Sequence, residues 1–183
     1  MKIFNVFFIL IIFCNVNAET DLLEKIKQDD SFIVPGLGAN RVLLDEDINY
    51  VIHRFKQHGF NISKPKKIAE LFKDVFNLSS TTPIYFDTLY HNDENKFSLC
   101  VYQNKVVAVI GTNINKITID FVDLNAGINN FIYHYGNKNL HQMRNGSHGI
   151  FYYPEKGIAV VDDNLNDTID MYIIFMTRGR NRR

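Results

Sequence analysis

Three histidines are the side chains with the clearest capacity for catalysis or metal binding. His134, His141 and His148 follow one another at intervals of seven residues. Helical metal ligands are commonly four residues apart and have carboxylate or thiolate support, and no carboxylate lies between these histidines. The spacing therefore predicts separate surface histidines, with no metal and no cofactor. The alternative function is a secreted enzyme whose site, between two lobes, uses all three histidines.

Two further segments carry groups that could bind an ion or react. The run 162–167 reads DDNLND and resembles a calcium loop, but Asp167 takes the place of the bend glycine and Ile173 that of the last ligand. The run predicts a solvated hairpin turn instead. Cys100 lies in the apolar run FSLCVY, which predicts a buried and unreactive thiol. We therefore assign no catalytic residue and no metal ligand.

Aromatic side chains are the remaining signal. The chain has 9 Tyr and 15 Phe, and tyrosine suits both half-buried sheet faces and recognition surfaces. Alternation along a strand puts Tyr152 opposite its neighbours, so at least one of Tyr152 and Tyr153 is expected to face outward. The predicted partner-binding residues are Tyr90, Tyr102, Tyr152 and Tyr153. Ordinary strand packing is the alternative explanation for any one of them.

The N-terminal residues have the features of an export signal. Lys2 precedes an apolar run, 3–13, and Val-Asn-Ala follows at 16–18, which predicts a signal peptide over 1–18 and a secreted or periplasmic protein. The run is too short to cross a bilayer, which needs about 20 residues, and Phe13 before Cys14 disfavours lipid attachment. The 20 basic and 20 acidic residues balance, which argues against nucleic acid as the partner.

The chain contains two similar segments eighty positions apart. Residues 42–55 read VLLDEDINYVIHRF and residues 122–135 read VDLNAGINNFIYHY, with five identities. After each, 90–111 and 152–175 both read as an aromatic strand, a turn, an alternating strand, a polar turn and an apolar strand. This order predicts an internal duplication. The alternative is that any two amphipathic helices that follow strands look alike.

Helical periodicity is clearest in three places. Stripes at i, i+3, i+4 and i+7 predict helices over 48–55, capped by Asp45 or Asp47, and over 65–76, with Leu71 and Phe72 in the core. A short helix over 127–135 should end at Gly136. The second helix has no counterpart in the other half. Residues 137–147 are polar and predict a loop, and 117–121 alternate as a strand.

These elements predict an α+β fold of two related lobes. Each lobe is a helix packed on a three- to four-stranded antiparallel sheet, and the first lobe has an extra helix. The predicted division is a signal peptide (1–18), a helical segment (19–34), a first lobe (35–112), a second lobe (113–177) and a basic tail (178–183). The duplication makes Ile48 equivalent to Ile128, Ile52 to Ile132, Phe97 to Ile158 and Leu99 to Val160.

The chain resembles small domains of bacterial envelopes in the order of its elements. A strand is followed by a helix that ends in glycine and then by a meander, which contains the run YYPEKGIAV at 152–160. The domains that it resembles are the outer-membrane lipoproteins of the barrel-assembly machinery and the tandem domains of β-lactamase-inhibitory proteins. The glycine that starts their helix is missing in both copies, at 44–47 and at 124–127. The resemblance implies a non-enzymatic binding module. We therefore predict a secreted or periplasmic protein that recognises a protein partner through an aromatic sheet surface.

Overall fold

The apolar strand segments of both halves pair into one antiparallel sheet. The computed structural model describes residues 20–55, 59–63 and 88–177. In chain order the strands are β1 (Phe32–Ile33), β2 (Gly38–Ala39), β3 (Val42–Leu43), β4 (Asn61–Ser63), β5 (Thr88–Asn92), β6 (Phe97–Tyr102), β7 (Lys105–Gly111), β8 (Ile117–Thr118), β9 (His141–Asn145), β10 (His148–Tyr153), β11 (Ile158–Asp162) and β12 (Met171–Phe175). The helices are α1 (20–28), α2 (Ile48–Arg54) and α3 (Ile128–Tyr135), and a 3-10 turn spans Leu124–Ala126.

Eight strands form the main sheet in the order β4-β5-β6-β7-β12-β11-β10-β9. β7 and β12 pair at the centre, with Ile110 opposite Ile173. β1 and β8 form a separate parallel pair, and β2 and β3 form a short hairpin. The α+β class is confirmed. The two meanders share one sheet, whereas the prediction gave each lobe a sheet of its own.

Helices α2 and α3 lie within one residue of their predicted bounds. Asp47 caps α2, and its side chain accepts a hydrogen bond from the Asn49 backbone N–H. Gly127 precedes α3 without a side-chain cap of its own. The cap comes from Asp167, in the turn before β12, whose Oδ1 atom accepts a hydrogen bond from the Asn129 N–H at 2.9 Å. Gly136 ends α3 in the left-handed region, at φ +78°.

Both faces of the sheet are buried. The first face packs with α2 and α3, where Val51 and Phe131 join sheet residues such as Leu99 and Val160 in one core cluster. The cluster on the second face consists, among the described residues, of side chains from the sheet itself. Its members are Leu89, Cys100, Ala108, Ile110, Ile150, Tyr152, Ala159, Val161, Ile173 and Phe175.

Two local predictions are wrong. The predicted loop over 137–147 contains β9, in which Met143 pairs with Ile150 of β10. Its polar sequence suits the edge of a sheet, where charged side chains discourage pairing with another chain. The predicted strand 117–121 ends at Thr118, and Phe121 turns the chain at φ +62°. The predicted helix 65–76, the signal peptide and the basic tail lie outside the described residues.

Candidate functional site

Tyr152 and Tyr153 are both buried, although they point to opposite faces of the sheet. Tyr152 belongs to the cluster on the second face. The Tyr153 ring lies edge-on to Phe131, with centroids 5.6 Å apart, and its hydroxyl donates to the Gly136 carbonyl at 2.6 Å. The expectation that one of them faces outward is wrong, because alternation identifies opposite faces but does not tell whether a face is covered.

Tyr90 and Tyr102 occupy less buried positions. Tyr90 is half-buried on β5, where its ring lies edge-on to Phe60 with a centroid distance of 6.3 Å. Tyr102 is exposed at the end of β6. The four predicted tyrosines therefore do not form one accessible surface: Tyr90 and Tyr153 join the first face, and Tyr152 joins the second.

The three histidines have separate surroundings. His134 lies at the end of α3 against Tyr135, and His141 of β9 stacks on Tyr152 with ring centroids 5.1 Å apart. The Nδ1 atom of His148 lies 2.8 Å from Oδ1 of Asp163. Within residues 20–55, 59–63 and 88–177, no three His, Cys, Asp or Glu side chains group in a way that could hold a metal ion. The structure gives no specific support to an enzyme built on these histidines.

The two other candidates for chemistry serve the fold. Cys100 is fully buried, and burial raises the pKa of its thiol, so the reactive thiolate is disfavoured. Asp162 accepts hydrogen bonds from the backbone N–H groups of Asn164, Asn166 and Asp167, at 3.1, 3.2 and 2.9 Å. Its carboxylate thus shapes the β11–β12 turn, as a hairpin-turn residue should.

A cleft of about 310 Å³ opens at one end of the sheet. Its lining residues are Val34, Pro35, Gly36, Ile119, Asp120, Glu155, Lys156 and Thr177. The walls are held together by backbone contacts, because the Gly157 carbonyl accepts from the N–H groups of Gly36 and Phe175 at 3.2 and 3.0 Å. Four chain segments distant in sequence therefore line this cleft.

The charged groups of the cleft give it an acidic character. Lys156 is partly engaged, because its amine lies 4.7 Å from the centroid of the Tyr135 ring. The Tyr135 hydroxyl donates to Thr118 Oγ1 at 3.3 Å and also interacts with Asp120. Burial, chiefly, raises the pKa of Tyr135, so it stays a neutral hydroxyl. Asp120, Glu155 and Lys156 are all exposed, and Glu155 Oε2 accepts a hydrogen bond from Asn139 Nδ2 at 2.7 Å.

Phe121 stands beside this cleft on a well-defined turn. Its N–H donates to the Thr118 carbonyl at 2.9 Å, and the Thr118 N–H donates to the Val122 carbonyl at 3.0 Å. The Val122 N–H donates back to Thr118 Oγ1 at 3.1 Å. The Phe121 side chain is nevertheless 86% exposed. We call Asp120, Phe121 and Glu155 the Phe121 surface.

The sequence patterns did not point to this surface. Alternation over 117–121 suggested that Phe121 belongs to a strand, and a single phenylalanine carries no signal for a left-handed backbone. The predicted repeat carried no signal either, because nothing in the sequence marks Arg41, eighty positions earlier, as part of the tight turn that joins β2 to β3.

Comparison of the chain with protein-family models, with curated proteins and with solved structures finds no match. The helices of the described residues include none with the length and apolar character needed to cross a membrane.

Proposed function

We propose that this chain is a secreted or periplasmic, non-enzymatic protein-binding module made of two duplicated α+β units. The sheet order supports the duplication, because β4-β5-β6-β7 and β9-β10-β11-β12 are meanders of the same order that meet at β7 and β12. The helices also meet the meanders in the same way. The Ile48 N–H donates to the Asn104 carbonyl at 2.9 Å, and the Ile128 N–H donates to the Asp167 carbonyl at 3.1 Å. Both acceptors lie in the turn before the last strand.

Backbone conformation supports the same pairing independently of side-chain likeness. Arg41 and Phe121 have φ of 63° and 62°, and each directly precedes a fully buried valine, Val42 or Val122. Left-handed φ is uncommon outside glycine, so this shared position supports the pairing, although Asn40 and Asp45 are left-handed in the first unit alone.

The strand registers adjust the alignment of the two units. Asn92 pairs with Phe97 across the first hairpin, and Tyr153 pairs with Ile158 across the second. These registers support the proposed equivalence of Phe97 with Ile158 and of Leu99 with Val160. They favour pairing Tyr90 with Phe151 rather than with Tyr152.

One observation carries the binding function: large aromatic side chains are exposed on ordered backbone. Tyr50 on α2 is 73% exposed, Tyr133 on α3 is 88% exposed, and Phe121 occupies its fixed turn. Aromatic residues are enriched at protein interfaces and dominate their binding energy. A fixed backbone lowers the entropy lost on binding. Because the predicted sheet tyrosines are mostly buried, recognition is proposed to use the helices and turns.

Site-specific photocrosslinking tests this proposal. A photoreactive phenylalanine analogue would replace Tyr50, Phe121 or Tyr133 in turn, and each protein would be exposed to the secreted or envelope fraction of its own source. We expect one protein adduct, identified by mass spectrometry, that disappears when excess unlabelled wild type competes. Placement at Asp93, on the β5–β6 turn, is the control. The absence of a saturable adduct at all three aromatic sites would contradict the proposal. N-terminal sequencing of the exported chain should begin at Glu19.

A further inference from the structure

The two proposed units place turns of different length at the same point of the repeat: Asn40 and Arg41 form a two-residue loop, and residues 119–121 form a three-residue loop. In the first unit the turn is tied to its helix, because Arg54 Nη1 donates to the Arg41 carbonyl at 2.5 Å and Arg54 also pairs with Glu46. The Arg41 guanidinium lies over the Phe55 ring, 5.4 Å from its centroid, and its Nε donates to the Lys27 carbonyl at 3.3 Å. The side chains of the first turn are thus committed to contacts within the protein.

The second unit lacks these ties. Eighty positions later, Ala126 takes the place of Glu46, His134 that of Arg54, and Phe121 that of Arg41. Alanine has no charge to form the ion pair. Phe121 is consequently displayed to solvent beside the cleft, instead of packing on the helix.

The residue type at this position is also unusual for its backbone. A three-residue hairpin loop commonly places glycine in the left-handed position that Phe121 occupies, and a bulky residue there is strained. Strained residues that persist on a surface justify a hypothesis of function. Folding alone would favour glycine or asparagine at this position, so the phenylalanine ring requires another explanation.

We infer that the Phe121 surface docks a segment of a partner protein that packs apolar side chains against the Phe121 ring and places a lysine or arginine at the cleft. The basic group is chosen because the two exposed carboxylates of the cleft, Asp120 and Glu155, outnumber its one ammonium group, that of Lys156, which lies near the Tyr135 ring. Opposite charge at the rim of an interface steers and orients binding. This inference rests on the proposed binding function and names its site and the chemistry of its partner.

A displayed library of random short peptides, selected on the mature wild-type protein, tests the inference. We expect enriched peptides that combine apolar residues with lysine or arginine. Their affinity should fall at least about tenfold for Phe121→Asn, as for a central interface aromatic, and several-fold for Asp120→Asn. Ile62→Asn removes an exposed apolar side chain from β4, 66% exposed, and should leave affinity unchanged. Asp93→Asn is the matched control for charge.

The outcomes separate the inference from the function on which it rests. Peptides that bind Phe121→Asn as tightly as wild type, or that lack basic residues, overturn the Phe121 surface as the docking site. If their affinity depends on Tyr50 or Tyr133 instead, the binding function stands and only the site is wrong. If selection yields no peptide and photocrosslinking yields no adduct, both proposals fail.

Discussion

Gly157→Ala should be strongly destabilising, because three backbone segments converge on this residue. Gly157 has φ +72°, and a Cβ atom there would lie 2.2 Å from the Phe175 carbonyl oxygen and 2.6 Å from Gly36 Cα. The left-handed backbone costs alanine about 1–2 kcal/mol. Relief of the overlap would weaken the two hydrogen bonds that the Gly157 carbonyl accepts, each worth about 0.5–1.5 kcal/mol. The expected loss in the free energy of unfolding is therefore about 2–5 kcal/mol.

Gly146→Ala separates crowding from backbone strain. Gly146 also has a left-handed backbone, at φ +63°, but a Cβ atom there would meet nothing within 4 Å. Its replacement by alanine should lower the free energy of unfolding only by the cost of the left-handed backbone, about 1–2 kcal/mol. Urea unfolding followed by circular dichroism and tyrosine fluorescence measures both variants, since the chain has no Trp. If the two variants lose the same free energy of unfolding within about 0.5 kcal/mol, at equal m-values, then crowding by Phe175 and Gly36 adds nothing at Gly157 and the reasoning is refuted.

Three further predictions test other parts of the structure. Asp167→Ala should lower stability by about 1–3 kcal/mol, because it removes the α3 cap at Asn129 and puts alanine in a left-handed backbone, at φ +69°. Asp167→Asn keeps an acceptor oxygen and tolerates that backbone, so it should lose less. Phe121→Asn should leave stability unchanged or raise it by up to about 1 kcal/mol, because asparagine tolerates the left-handed backbone; a clear loss would show that the ring packs. In a chain that carries Cys14→Ser, the Cys100 thiol should not react with a thiol reagent at mildly alkaline pH until urea unfolds the protein. Burial raises the pKa of this thiol, so little thiolate is present in the folded state.

The elements that local sequence predicts well are those whose signals lie within a few residues. Asp47, the stripe of Ile48 and Val51, and the glycine at 136 are sufficient to place α2 and α3, since caps and helical periodicity act within one or two turns. The hairpin of β6 and β7 follows from alternation and a polar turn for the same reason.

The burial of Tyr152 and the existence of β9 depend on contacts that no local pattern contains. β9 is polar, and its strand conformation comes from pairing with β10 along the sheet edge. Periodicity identified Tyr152 and its neighbour as facing opposite sides but could not tell that both sides are covered. The cleft is equally non-local, because Pro35, Asp120 and Glu155 meet only when the β1–β8 pair and the β10–β11 turn are in place.

The turn at Phe121 can be changed without changing the fold. Arg54 and Glu46 hold the β2–β3 turn to α2, whereas the turn at Phe121 is closed by backbone hydrogen bonds and by the Thr118 side chain. The shape of the turn therefore does not require the Phe121 ring. Substitution of Phe121 should alter binding and leave the core intact. At Tyr153, whose ring packs on α3 within the core, no substitution could distinguish lost recognition from lost stability.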